Sequence, residues 1–171
     1  MKGLIAGLIA LLALGLLFFY FTSPTTAPEM TEAETAQIEA EVMQLADDWM
    51  DAWKDMETDC ETTQTLLHPD YWRRLASGED WDISEWPDYC ARSTATRAGA
   101  SNDWAKKTVR VISPDAAVFI GTHSPTFSYN DGRPPRHYLT SVQRLLVERT
   151  ETGWGISWLT NNNGPYEDLE G

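Results

Sequence analysis

Thr108-Val-Arg-Val-Ile112, Ser113-Pro-Asp115 and Ala116-Ala-Val-Phe-Ile-Gly-Thr-His-Ser-Pro-Thr-Phe-Ser-Tyr129 follow one another without a gap. This stretch decides the fold. Val109 and Val111 alternate with Thr108 and Arg110, the period of a half-buried strand. Ser113-Pro-Asp115 is turn chemistry, because Pro fixes φ and Asp bonds its own backbone. The β-branched and aromatic run to Tyr129 ends at Asn130-Asp-Gly132, a strong hairpin signal. His137 to Thr150 reads as the return strand. Glu151-Thr-Gly153 then turns the chain into Trp154-Gly-Ile-Ser-Trp158, with Trp154, Ile156 and Trp158 expected on one face. The four strands form a curved antiparallel meander, and one face of it needs cover.

The cover lies upstream. Thr31 and Glu34 have the spacing of a capping box. Ile38, Val42, Leu45, Trp49, Trp53 and Met56 then recur every three or four residues, which predicts an amphipathic helix of about seven turns. Its acidic residues, Glu41, Asp47 and Asp51 among them, are expected on a solvated face. A short second helix is expected over 61–67. His68 should end it, because the residue before a proline is pushed away from the helical region. Tyr71 to Leu75 reads as a further helical turn. Asp82 and Glu85 cap a third helix carrying Trp86, Tyr89, Cys90 and Thr94, with Arg97 in its last turn and Gly99 just past its end. Helices gathered on one face of an antiparallel sheet make an α+β fold, here three helices on a four-stranded sheet.

The chain carries 13 basic and 26 acidic residues, a net charge of −13. That excess disfavours nucleic acid and anionic lipid surfaces as partners. The uncharged run from Leu4 to Phe21, at about 1.5 Å per residue, is close to the length that spans a hydrocarbon core. It closes on Phe18-Phe-Tyr-Phe21, an interfacial aromatic flank. Residues 1–22 are therefore expected to be a membrane anchor or uncleaved signal, with a cleaved signal peptide as the other reading. Residues 23–30, with Pro24 and Pro28, form a linker, residues 31–163 an exported domain and residues 164–171 a tail. Cys60 and Cys90 are either two small buried hydrophobes or, in an exported domain, a disulfide.

A long first helix, a short second ending in His68-Pro-Asp70, and a third preceding Val109-Arg-Val-Ile-Ser-Pro-Asp-Ala-Ala-Val-Phe119 resemble the SnoaL-like branch of the nuclear transport factor 2-like (NTF2-like) superfamily. Asn130-Asp-Gly132, Leu145-Leu-Val-Glu-Arg149 and Gly153-Trp-Gly-Ile156 carry the same resemblance, over residues 31–163. It implies a cone-shaped fold enclosing a pocket, in a superfamily that includes cyclases, isomerases, dehydratases and non-catalytic binding or dimerising domains.

Isomerase-type chemistry needs a carboxylate or histidine base in an apolar pocket. The strands offer only Glu148, near a strand end, so an inward carboxylate is not evident. His68 and Asp70 are the remaining catalytic candidates, although turn chemistry alone accounts for them. Trp53, Tyr71, Trp86, His123 and Trp158 are the ligand-binding candidates, read either as core or as an aromatic pocket wall. His123 and His137 are expected near one another across the hairpin, without a third ligand at metal spacing. Arg144 shares a side with Val142 and Leu146, a setting that calls for a carboxylate or an anionic ligand. No metal or cofactor motif is present. The leading expectation is a pocket for a small, mostly apolar molecule. The alternative is a protein-interaction or homodimer module using a sheet face with Phe119, Phe127 and Leu139, and acid/base enzymes come third.

Overall fold

The computed structural model describes residues 30–54, 60–74 and 80–169. Among these, no helix is long and apolar enough to cross a membrane. The expected anchor over 1–22, the linker up to 29, and Met56 lie outside the described residues.

The capping box forms as the spacing requires. Thr31 N–H donates to Glu34 Oε2 at 2.8 Å, and Glu34 N–H donates to Thr31 Oγ1 at 3.2 Å. Helix α1 (Glu32–Lys54) follows, burying Ile38, Val42, Leu45 and Trp49. Its acidic side is used more than a solvated face would be. Glu41 accepts from the Trp154 indole at 2.7 Å and pairs with Arg149 at 3.1 Å, while Lys107 holds Asp47 at 2.8 Å. The Trp154 hydrogen bond, first among several, holds the Glu41 carboxyl below its usual range. These contacts fix the rotation of α1 on the sheet.

The three expected helices need correcting. Helix α2 (Cys60–Thr65) is one short turn, and a 3-10 turn (Ile83–Glu85) with its Asp82–Glu85 capping box leads into α3 (Trp86–Thr94). Between them the chain is extended. Strand β1 (Leu67–Arg74) replaces the helical turn expected at Tyr71, and β2 (Asp80–Asp82) pairs with it. Arg97 and Gly99 do not end α3 but lie on β3 (Arg97–Ser101). Cys60 and Cys90 are bonded, with Cα atoms 5.8 Å apart, tying α2 to α3. Closing a loop of this length stabilises a fold by roughly 3–4 kcal/mol.

The four expected strands are present as neighbours, but in a larger sheet. Strands β4 (Trp104–Ser113), β5 (Ala116–His123), β8 (Ser141–Arg149) and β9 (Trp154–Asn163) pair antiparallel in that order. Parallel β1, followed by β2, extends the β9 edge to make six strands. The two long strands read from the sequence break, and β9 ends, at the same level. Ser124-Pro125, Leu139-Thr140 and Gly164-Pro165 interrupt them, and β6 (Thr126–Tyr129), β7 (Arg136–Tyr138) and β10 (Tyr166–Asp168) continue as a second, four-stranded sheet completed by β3. The prolines explain two of the breaks, since proline has no N–H to give a ladder. The Asn130-Asp-Gly132 turn connects β6 to β7, with Gly132 at φ 85°.

One residue reverses an expectation. Leu146 pairs with Trp158 but Val147 pairs with Ile156, so Ser157 is the extra residue of a β-bulge. A bulge shifts the alternation by one. Ile156 and Leu159 therefore face the core, whereas Trp158 lies on the outer face against Trp72, 6.3 Å between rings. The outer face also carries exposed Ile112 and Ile120. Phe119, expected on that face, is fully buried in the core.

Candidate functional site

The inner face of the six-stranded sheet is apolar where α1 crosses it and polar toward the level of the strand breaks. Ala117, Phe119, Leu145, Val147, Ile156 and Leu159 pack under Ile38, Val42, Leu45 and Trp49. Further along the same face come His123 on β5, Gln143 on β8 and Asn161 on β9. With Asn102 and Arg97 they surround a cavity of about 90 Å³, closed on its other sides by Trp49, Trp53, Trp86, Tyr89, Phe127 and Arg73. Trp49, Trp53 and Trp86 form a mutual cluster with ring centroids 5.6 to 6.1 Å apart. Trp86 is held by its indole N–H, which donates to Thr63 Oγ1 at 3.0 Å on the α2 side of the disulfide. Gly121 leaves room for Trp104 to lie across β5, where a side chain would collide with the indole. Trp104 in turn stacks edge-on with His123 at 5.2 Å and donates to the Ala46 carbonyl.

His123 is the one ionisable side chain of this wall that is almost fully buried, at 4% exposure. Its Nδ1 stands 2.6 Å from Asn102 Oδ1. An amide oxygen only accepts, so Nδ1 carries the hydrogen and Nε2 keeps its lone pair. Among the described residues Nε2 has no hydrogen-bond partner, and neither does the Trp49 indole N–H. Burial pushes the His123 pKa below its ordinary value, and the nearby Asn161 side chain works the other way without closing a hydrogen bond. The ring is therefore neutral near neutral pH and able to accept a proton or a hydrogen bond. Arg97 reaches the cavity between two aromatic faces, 4.5 Å from the Phe127 centroid and 5.7 Å from Trp53.

Of the residues singled out from the sequence, Trp53, Trp86 and His123 come together on this wall. Tyr71 sits edge-on behind Trp86, 5.8 Å between centroids, with its hydroxyl buried and its pKa pushed up to about 12 by desolvation. Trp158 is outside, for the reason given by the bulge. His68 and Asp70 are outside too. Because 67–74 is a strand beside β9, they lie in a shallow surface depression with Arg149 and Thr150 to Thr152. There His68 Nδ1 accepts from the Asp70 N–H at 3.1 Å, a local turn interaction. His137 bonds Thr126 in the second sheet, and the register sets His123 opposite Ser141, so the two histidines are not neighbours. Arg144 is on the outer face, where it donates to Asn162. Asn102, Gln143, Asn161, Arg73 and Arg97 were not anticipated. The alternation of β8 from buried Leu145 and Val147 would have found Gln143.

No family model matches the chain, and no curated relative is similar to it. Solved structures are similar. A hexachlorocyclohexane dehydrochlorinase from Novosphingobium barchaimii superposes with a TM-score of 0.70 at 12% identity, covering 82% of this chain and 96% of that one. A protein assigned as a scytalone dehydratase from Novosphingobium aromaticivorans has the same TM-score, identity and share of this chain, with 93% of its own length covered. An NTF2-like superfamily protein from Salmonella enterica gives 0.67 at 15% identity, over 77% of this chain and 94% of that one. At these identities the likeness is one of fold, and the chain has the α+β NTF2-like fold.

A histidine that binds protons less readily folded than unfolded makes unfolding take up a proton once the pH falls below the unfolded value near ~6.5. Stability is then lost as pH falls from that value toward the lower folded one. Urea midpoints measured between about pH 7.5 and 5 should fall in the native chain and fall less in His123→Gln, a window above the ordinary carboxylate range. Equal slopes in the two proteins would place His123 in contact with solvent.

Proposed function

We propose that the cavity binds a small, mostly apolar molecule, with the bare Nε2 of His123 as its polar anchor. One observation carries the reading. A buried acceptor without a protein partner loses hydrogen bonding it would have in water, at a cost of about 1–3 kcal/mol, and here it borders an aromatic cavity. A bound O–H group removes that cost. The volume of about 90 Å³ is below the roughly 150 Å³ of an apolar cavity that accepts benzene, so it supports a molecule no larger than one ring, and a ring only if part of it stays outside. The same nitrogen supports a second reading, acid/base catalysis. The two neighbours named for elimination reactions, a dehydrochlorinase and a dehydratase, carry out chemistry that removes a proton, and His123 is the group here suited to take one.

Export of the domain from an N-terminal membrane anchor is part of the same proposal. The Leu4–Phe21 run supports it, as does the Cys60–Cys90 bond, since disulfides persist in oxidising compartments. The exposed band of Trp72, Ile112 and Ile120 beside Trp158 supports self-association through the outer sheet face.

Phenol offers a ring-sized body and one O–H donor. Titrated into the full-length chain, it should quench tryptophan fluorescence saturably. His123→Leu should weaken binding by about fivefold to tenfold, the worth of one hydrogen bond, and Trp53→Ala by more. Binding unchanged by either substitution would remove the cavity as the site. For the outer face, sedimentation should show a dimer that Ile120→Glu dissociates; a monomer at all concentrations would end that reading.

A further inference from the structure

Among the described residues, the cavity wall holds two cations and no anion. Arg97 and Arg73 both line it, and among the described residues neither has a carboxylate within ion-pair distance. Elsewhere in this acidic protein, exposed cations find partners readily. Lys54 pairs with Asp51 and Asp103, Lys107 with Asp47, Arg133 with Asp131, Arg136 with Asp168 and Arg149 with Glu41. Arg92, Lys106, Arg110 and Arg144 also lack a carboxylate within ion-pair distance among the described residues, but Arg97 and Arg73 are the two such cations that line the cavity.

Arg97 is the more telling of the two. Its position on β3 sends the guanidinium inward between Phe127 and Trp53. Desolvation lowers its pKa, and only tyrosines, Tyr89, Tyr129 and Tyr138, oppose that loss. Aromatic faces compensate a cation by about 0.5–2 kcal/mol, less than a hydrogen-bonded anion supplies in a desolvated site. Arg73 stands over Tyr89, 5.0 Å from the ring centroid, so the same tyrosine wall links both charges. Beside them the Trp49 indole N–H is a second donor without a partner. An arginine fork and an indole N–H together suit a planar carboxylate, while Trp53, Trp86 and Phe127 suit an apolar body.

We infer that the molecule taken by the cavity is a small organic acid, its carboxylate on Arg97 and its apolar part among the tryptophans. The inference rests on the ligand-pocket reading above and deepens it. The bare nitrogen of His123 is then left for a donor elsewhere on the acid, because an ionised carboxylate offers no hydrogen to it. The net charge of −13 does not prevent entry. Repulsion between charges is largely screened beyond about 8 Å at physiological salt, and the two arginines act at contact distance.

Matched acids and primary amides separate charge from shape. Butyrate with butyramide, and benzoate with benzamide, should be titrated calorimetrically into the full-length chain at neutral pH. Each acid should bind tenfold to a hundredfold more tightly than its amide. Arg97→Met should bring the acid down to the level of the amide and leave the amide unchanged, while Arg97→Lys should keep part of the preference. Equal binding of acid and amide by the native chain would overturn the inference and leave the pocket standing, and needs no variant. A preference for acids that survives Arg97→Met would also overturn it. If none of the four compounds binds at millimolar concentration, the pocket reading and the inference fall together.

Discussion

The short hydrogen bond between His123 and Asn102 joins two of the places where the chain passes between sheets. Asn102 lies between β3 of the four-stranded sheet and β4 of the six-stranded one, and His123 is the last residue of β5 before Ser124-Pro125 and β6. That 2.6 Å contact ties the β3–β4 crossing to the β5–β6 crossing beside the cavity. It also selects the imidazole tautomer, because the amide oxygen demands a donor. Fold geometry and the chemistry of the wall thus depend on the same pair of atoms.

The cavity persists because its surroundings cannot collapse into it. Trp86 is immobilised from behind by Thr63, by the disulfide at Cys90 and by Tyr71, so it does not advance. Trp49 and Trp53 are carried by α1, whose rotation is set at the far end by Glu41 on Trp154 and Arg149. On the sheet side, Gln143 and Asn161 stand where apolar side chains would have completed the core. Polar groups there resist tight apolar packing, since each burial without a partner is costly. The result is a core filled under the middle of α1 and open beside the strand breaks.

Much of this arrangement was legible in the sequence. The Thr31–Glu34 and Asp82–Glu85 caps, the α1 stripe, the β4-β5-β8-β9 order and the Asn130-Asp-Gly132 turn depend on local chemistry or strict periodicity, and the structure has all of them. What escaped depends on interruptions of a period. Counting by twos across Ser157 carries Trp158 to the wrong face, because a bulge leaves no compositional mark. The prolines at 125 and 165 were visible, but their joint effect of peeling three strands into a second sheet is tertiary. His68-Pro-Asp70 had the look of a helix end, and the helix does stop just before it at Thr65, but the strand that follows beside β9, with Leu67 opposite Ile156 and Trp72 opposite Trp158, depends on tertiary pairing. Arg97 was read as a helix-terminal cation, the ordinary place for arginine, so its inward course on a strand was missed, and with it the charge of the cavity.

The tautomer of His123 is the most direct test of the account. Nitrogen-15 chemical shifts of the ring, recorded on the full-length chain at neutral pH, should show Nδ1 protonated and Nε2 bare, with the Nε2 signal moving when phenol is added. A ring protonated on Nε2, or one that titrates like a free histidine and ignores added ligand, would mean that Asn102 does not hold it as described and that the cavity offers no acceptor.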